Sequence, residues 1–116
     1  MQIKKQWGEF SKPELFNISQ GSKCTLLKNV EEGTQFTVES AVIMSDDVIN
    51  VETGETRQKD ILHMKTDQGI FTTESPTVIS TFTSAVEFME NHALTFKLMR
   101  GKSKNNRAFM DLELIG

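Results

Sequence analysis

The sequence predicts a mainly β protein: a five-stranded Greek-key barrel with one helix between strands three and four. Three observations predict it. Apolar and polar residues alternate over five separate stretches after residue 33, which is the period of a half-buried strand. Gly, Asn and Asp clusters separate those stretches. One further stretch, opening at Ser75-Pro76, repeats its apolar residues at three-to-four spacing instead, the period of a helix.

The first 33 residues read as an arm that packs on a domain spanning 34–116. Gly8, Pro13, Gly21 and Gly33 interrupt the arm. Ser11-Lys12-Pro13-Glu14 suits the start of a short helix, with a Pro in the first turn. Trp7, Phe10, Leu15 and Phe16 give the arm enough apolar content to pack. Trp7 is a residue type that stacks on bases, but in a terminal arm it reads first as an anchor.

The domain follows element by element. Phe36, Val38, Ser40, Val42 and Met44 alternate with Gln35, Thr37, Glu39, Ala41 and Ile43, one long strand. Asp46-Asp47 and Glu52-Thr53-Gly54-Glu55 mark a loop. Residues 57–66 form the second strand, with Leu62 and Met64 inward and Ile61, His63 and Lys65 outward. Asp67-Gln68-Gly69 is a hairpin signal, and 70–73 is the third strand. Ser75 caps the helix with Pro76 in its first position, and Val78, Ile79, Phe82, Ala85, Val86 and Met89 form its apolar stripe. Leu94, Phe96 and Leu98 mark the fourth strand. Ala108, Met110, Leu112 and Leu114 mark the fifth, which leaves Phe109 outward. This element order is that of the OB-fold, whose binding face is built on strands two and three and the loops after strands one and four.

Composition bounds the rest. The chain has 116 residues, a net charge of −3 and one cysteine. The length suits one domain, and a lone Cys24 excludes an internal disulfide, so a reducing cytoplasm is the expected location. No apolar run approaches the roughly 18 residues of a membrane span, and no signal-peptide pattern opens the chain. Charge is polarised along the sequence. Seven acids and no Lys or Arg lie between Glu31 and Glu55. Five cations (Lys97, Arg100, Lys102, Lys104, Arg107) and no acid lie between Asn91 and Met110.

That basic stretch is the main candidate site. A flexible cationic turn holds phosphate, and an outward Phe109 beside it stacks a base. A second candidate is the outward face of strand two, where Arg57, Lys59, His63 and Lys65 form a basic stripe. Phe71 joins it from strand three if Ile70 is the inward residue of that pair. The carboxylates fall in predicted turns and lack the spacing of a nuclease or calcium site. Ser and Cys nucleophile signatures and a Gly-rich phosphate loop are missing. No metal, cofactor or catalysis is therefore expected.

Three segments also carry a resemblance. Glu14-Leu15-Phe16-Asn17-Ile18-Ser19-Gln20-Gly21-Ser22-Lys23 resembles a segment near the start of small single-stranded-DNA-binding proteins of tailed phages of Gram-positive bacteria. Thr53-Gly54-Glu55, Lys65-Thr66-Asp67-Gln68-Gly69 and Thr73-Glu74-Ser75-Pro76-Thr77 are similar to their middle section. Gly101-Lys102-Ser103-Lys104-Asn105-Asn106-Arg107 looks like their basic turn. The likeness extends to the proteins of small Bacillus phages that replicate by protein priming. It implies an OB-type protein that coats single strands during phage DNA replication or recombination in the host cytoplasm, with replication proteins as possible partners. Bacterial proteins of similar role carry an acidic tail, whereas this chain ends on a predicted strand, so tail-mediated recruitment is not expected. The alternative is an OB-like protein-interaction module that uses the acidic 31–55 region as its recognition surface.

Overall fold

The computed structural model describes residues 2–21, 24–90, 94–102, 105 and 108–116, except the side chain of Val48. In chain order the elements are β1 (Gln2–Trp7), α1 (Lys12–Ser19), β2 (Cys24–Leu26), a 3₁₀ turn (Leu27–Asn29), β3 (Gln35–Ile49), β4 (Thr56–Thr66), β5 (Gly69–Thr73), α2 (Pro76–Met89), β6 (Leu94–Lys102) and β7 (Ala108–Leu114). All seven strands join one curled, half-barrel sheet ordered β2-β5-β4-β3-β6-β7, with β1 on β3 as well. The five expected strands are β3 to β7, and α2 lies between the third and fourth of them, as the apolar periods require. The count of five is corrected to seven.

The two extra strands come from the first 33 residues. β1 is antiparallel to β3, with Trp7 opposite Ala41. Its sequence, Gln-Ile-Lys-Lys-Gln-Trp, is exposed except at Trp7, so it lacks the alternation that marks a strand. Strand β2 is three residues long and pairs in parallel with β5. Between them α1 begins with a complete capping box: the Ser11 hydroxyl accepts from Glu14 N–H, and the Glu14 carboxylate accepts from Ser11 N–H. Two orphan donors of the first turn are satisfied this way.

Strand β3 organises everything else. Along one edge it pairs with β4 from Val38 to Ile49. On the other edge it pairs first with β6, over 35–38, and then with β1, over 41–45. Where the partner changes, the β3–β4 register slips: Val38 faces Thr66, but Ser40 faces Lys65. This is a β-bulge, and one extra residue moves every later side chain to the opposite face. The single alternating face expected from Phe36 to Met44 is therefore corrected. Phe36, Val38, Ala41 and Ile43 enter the main core, while Val42 and Met44 point to the other side. Gly8 ends β1 against this bulge with φ +76°, and a Cβ there would come within 2.7 Å of the Ser40 Cβ.

Asp46 and Asp47 do not open a loop as expected. They lie inside β3, in a two-stranded ribbon that β3 and β4 extend past the edge of their neighbours. The turn falls at 50–55, closed by Asn50 N–H on Glu55 O (2.8 Å) and Gly54 N–H on Asn50 O (2.7 Å).

The main core holds a continuous run of rings. Trp7 meets Phe82 edge-on at 5.3 Å, Phe82 meets Phe96 at 5.7 Å, Phe96 meets Phe36 at 6.1 Å, and Phe36 meets Phe71 at 5.1 Å. The run ties β1, α2, β6, β3 and β5 together. Trp7 is thus the anchor that its place in a terminal arm suggests.

Trp7→Ala should cost about 3 kcal/mol in urea unfolding, as large-to-small core changes do. Phe88→Ala, at a ring 82% exposed on α2, should cost under about 0.5 kcal/mol. Equal losses would place Trp7 outside the core.

Candidate functional site

Strands β6 and β7 form the basic hairpin. Arg100 pairs with Met110, Gly101 with Phe109 and Lys102 with Ala108. Lys104 and Arg107, two of the expected phosphate contacts, lie outside the described residues.

Phe109 is outward as expected and 47% exposed. Its position has a specific cause. A Cβ on Gly101 would sit 2.8 Å from Phe109 Cζ, so the ring lies across the partner strand in the space that glycine leaves. A cross-strand glycine thus presets the ring while one side stays open.

The cations near it divide by role. Arg100 is not a free phosphate contact. Its Nη2 donates to the carbonyl oxygens of Lys28 and Val30, 2.7 Å each, and so clamps the end of the 3₁₀ turn onto β6. Lys102 is exposed and has no ion pair among the described residues. Strand alternation puts Lys102 and Arg100 on one face of the hairpin and Phe109 on the other. Of the described hairpin cations, Arg100 and Lys102 thus lie on the face opposite the ring.

Two grooves open beside the end of β5 and the start of α2. The first, of about 310 Å³, is lined by Leu26, Lys28, Thr73, Glu74 and Met110 among others. The second, of about 670 Å³, holds Arg57, Lys59 and the same Glu74 beside the start of α2. Glu74 is thus common to both. Lys28 and Arg57 are exposed cations along this path, while Lys59 is paired to Glu74 at 2.8 Å. Lys28 escaped the sequence reading because nothing in residues 24–33 marks a strand or a site.

The other candidate face differs most from expectation. Phe71 is inward: it is 5% exposed and packs on Phe36, so Ile70 is the outward member of that pair and Phe71 offers no open ring. His63 points away from the core but is still buried, at 4% exposure. The reason is α1. Its Ile18, with Leu15, Phe10 and Cys24, packs on Val42, Met44 and Ile70 in a second, smaller core. The helix roofs part of the outer sheet face. Lys65, at the rim, pairs with Glu14 of α1 at 2.7 Å. The basic stripe keeps its alternation, but only Arg57 is both exposed and free of an ion pair among its described cations.

The electrostatics follow from this packing. The Lys65 ammonium and both polar groups of Ser11 hold the Glu14 carboxyl down to about 2, and Glu14 in turn raises Lys65. Burial lowers His63 to about 4. Its Nδ1 shares a 2.8 Å hydrogen bond with the Thr72 hydroxyl, while its buried Nε2 has no partner among the described residues.

Among the described residues no cluster of three His, Cys, Asp or Glu side chains could hold a metal ion, and no helix is long and apolar enough to cross a membrane. Comparison with protein-family models, curated proteins and solved structures finds no match.

His63 sets a pH dependence. Its pKa is lower folded than the ordinary 6.5, so the unfolded chain binds the extra proton between about pH 4 and 6.5, and stability falls as pH drops through that window. Unfolding in urea should show a loss of about 1–2 kcal/mol from pH 7 to pH 5. His63→Leu should flatten that slope; an unchanged slope would assign it to other groups.

Proposed function

We propose that this chain is a non-catalytic protein of the OB type that binds single-stranded DNA with little sequence preference, acting in phage DNA replication or recombination. The β6–β7 hairpin carries the reading: Phe109, seated open on Gly101, lies in a stretch of five cations and no acid. A ring held this way stacks on a base of any identity. Cations on the opposite hairpin face and along the grooves, Lys102, Lys28 and Arg57, suit phosphates of the same strand as it passes over the edge. Such contacts explain how a chain of charge −3 binds a polyanion, because the field near the hairpin is set locally.

The OB-type reading itself rests on the order of β3, β4, β5, α2, β6 and β7 and on the curl of the sheet. The likeness to phage single-strand-binding proteins in three segments adds the biological setting.

A second reading has one observation of its own. The β3–β4 ribbon ends in two apolar side chains, Ile49 at 66% and Val51 at 95% exposure, with Asp47, Glu52 and Glu55 around them. An acidic ribbon with an apolar tip suits a protein partner better than a nucleic acid.

Fluorescence anisotropy with a labelled poly(dT) oligomer separates the two. Binding at low salt that weakens with salt is expected. Lys28→Glu with Lys102→Glu should lower the slope of log affinity against log salt by about 0.7 per cation. Phe109→Ala should cost about 1–3 kcal/mol of affinity. No binding at low salt would reject the reading in favour of the ribbon.

A further inference from the structure

The outer sheet face under α1 holds a buried polar atom with no hydrogen-bond partner among the described residues. His63 Nε2 is buried, while Nδ1 is fixed by Thr72. Leaving such a group unsatisfied is costly, and native structures rarely do so without a reason. The same face carries Lys65, whose charge is spent on Glu14. Ile61, Met44 and Ile70 supply apolar surface around them. Arg57, exposed, and Lys59, paired to Glu74, continue the same alternation along β4. One strand face therefore presents two outer cations, an apolar step, a ring nitrogen and a third cation, and the roof lies over its inner half.

We infer that this roofed face is a second contact surface for the single strand, covered by α1 in the free protein and uncovered on binding. The inference rests on the reading above that the ligand is single-stranded nucleic acid.

The roof is lightly held. α1 has eight residues, and Ile18 is its only fully buried side chain. Phe16 is 64% exposed. One ion pair, Glu14 to Lys65, fastens its first turn to the sheet. A helix this short is marginal without its packing, so it belongs to the segments that open locally. Lifting it gives Lys65 to a phosphate and His63 Nε2 to a base edge, and leaves Met44 and Ile70 for a base to cover. The free protein then binds with an affinity reduced by the fraction of molecules in which α1 is open.

Hydrogen exchange on the full chain, with and without the poly(dT) oligomer, tests this. Bound oligomer should speed amide exchange across 12–19 while it slows exchange in β4 and the β6–β7 hairpin. The variant Ser11→Ala with Glu14→Gln removes the cap and the ion pair at exposed or half-exposed sites. Its α1 should exchange faster without ligand, and its affinity should rise about fivefold, the change a lost N-cap is worth. If bound oligomer leaves 12–19 unchanged or slower while it protects the hairpin, α1 stays down and the inference fails with the ligand reading intact. Unchanged affinity in a variant whose α1 exchanges faster overturns it in the same way. If the oligomer binds neither protein, both fall together.

Discussion

The bulge at residue 39 of β3 is the constraint on which the rest depends. A strand of 15 residues cannot stay flat beside partners that cover only parts of it, because each pair of strands twists with one hand. Here the bulge falls where β6 stops and β1 begins on the same edge. The extra residue reverses the inward and outward sets of β3. Before it, Phe36 and Val38 face α2. After it, Ala41 and Ile43 do, and Val42 and Met44 are turned to the opposite side. Two apolar faces on one sheet need two covers. α2 covers the concave side and α1 the convex side, and the slip in register decides which of the apolar residues 41–44 each helix covers.

That account explains why the N-terminal segment is structural. Gly8 can lie on Ser40 only without a Cβ, and this lets the chain turn from β1 across the bulge toward α1. Trp7 then reaches the concave side and joins the rings, while Ile18 reaches the convex side. Eleven positions apart, the two side chains hold opposite faces of one sheet. The segment is fixed at both, yet its attachment differs: a large ring in a continuous aromatic run against one buried isoleucine, the half-buried Phe10 and Leu15, and an ion pair.

What was legible in the sequence follows from the same geometry. β6, β7 and α2 bury one face each, so their periods survive in the order of residues. β1 does not show, because it contributes backbone pairing and a single half-buried Trp7. The end of β3 does not show either: Asp46 and Asp47 sit in a ribbon that extends past the core, and turn-forming residues there look like a loop. Phe71 against Ile70 was unreadable because both faces of β5 are covered, one by the main core and one by the smaller one. His63 has the right alternation for an outward residue, and it is outward; its burial comes from a helix 44 to 51 positions earlier. No local pattern contains that contact. Phe109 was legible because none of the described residues covers its outer side, which stays half exposed.

The position of Gly101 shows how the hairpin serves a site without a cavity. A ring on an exposed strand normally samples several rotamers, and fixing one costs entropy when a ligand arrives. With Gly101 opposite, the Phe109 ring has a bed of backbone on which to lie. Part of the ordering is then complete in the free protein, and a base meets a surface that is already flat and half open. Arg100 serves the same end from the other face. By holding the carbonyls of Lys28 and Val30 it fixes the base of the hairpin to the 3₁₀ turn, so that Lys28 and Lys102 project from one braced unit. Arg100 thus acts by positioning rather than by its own charge, and this is why a count of cations along the sequence overstates how many are free to meet a phosphate.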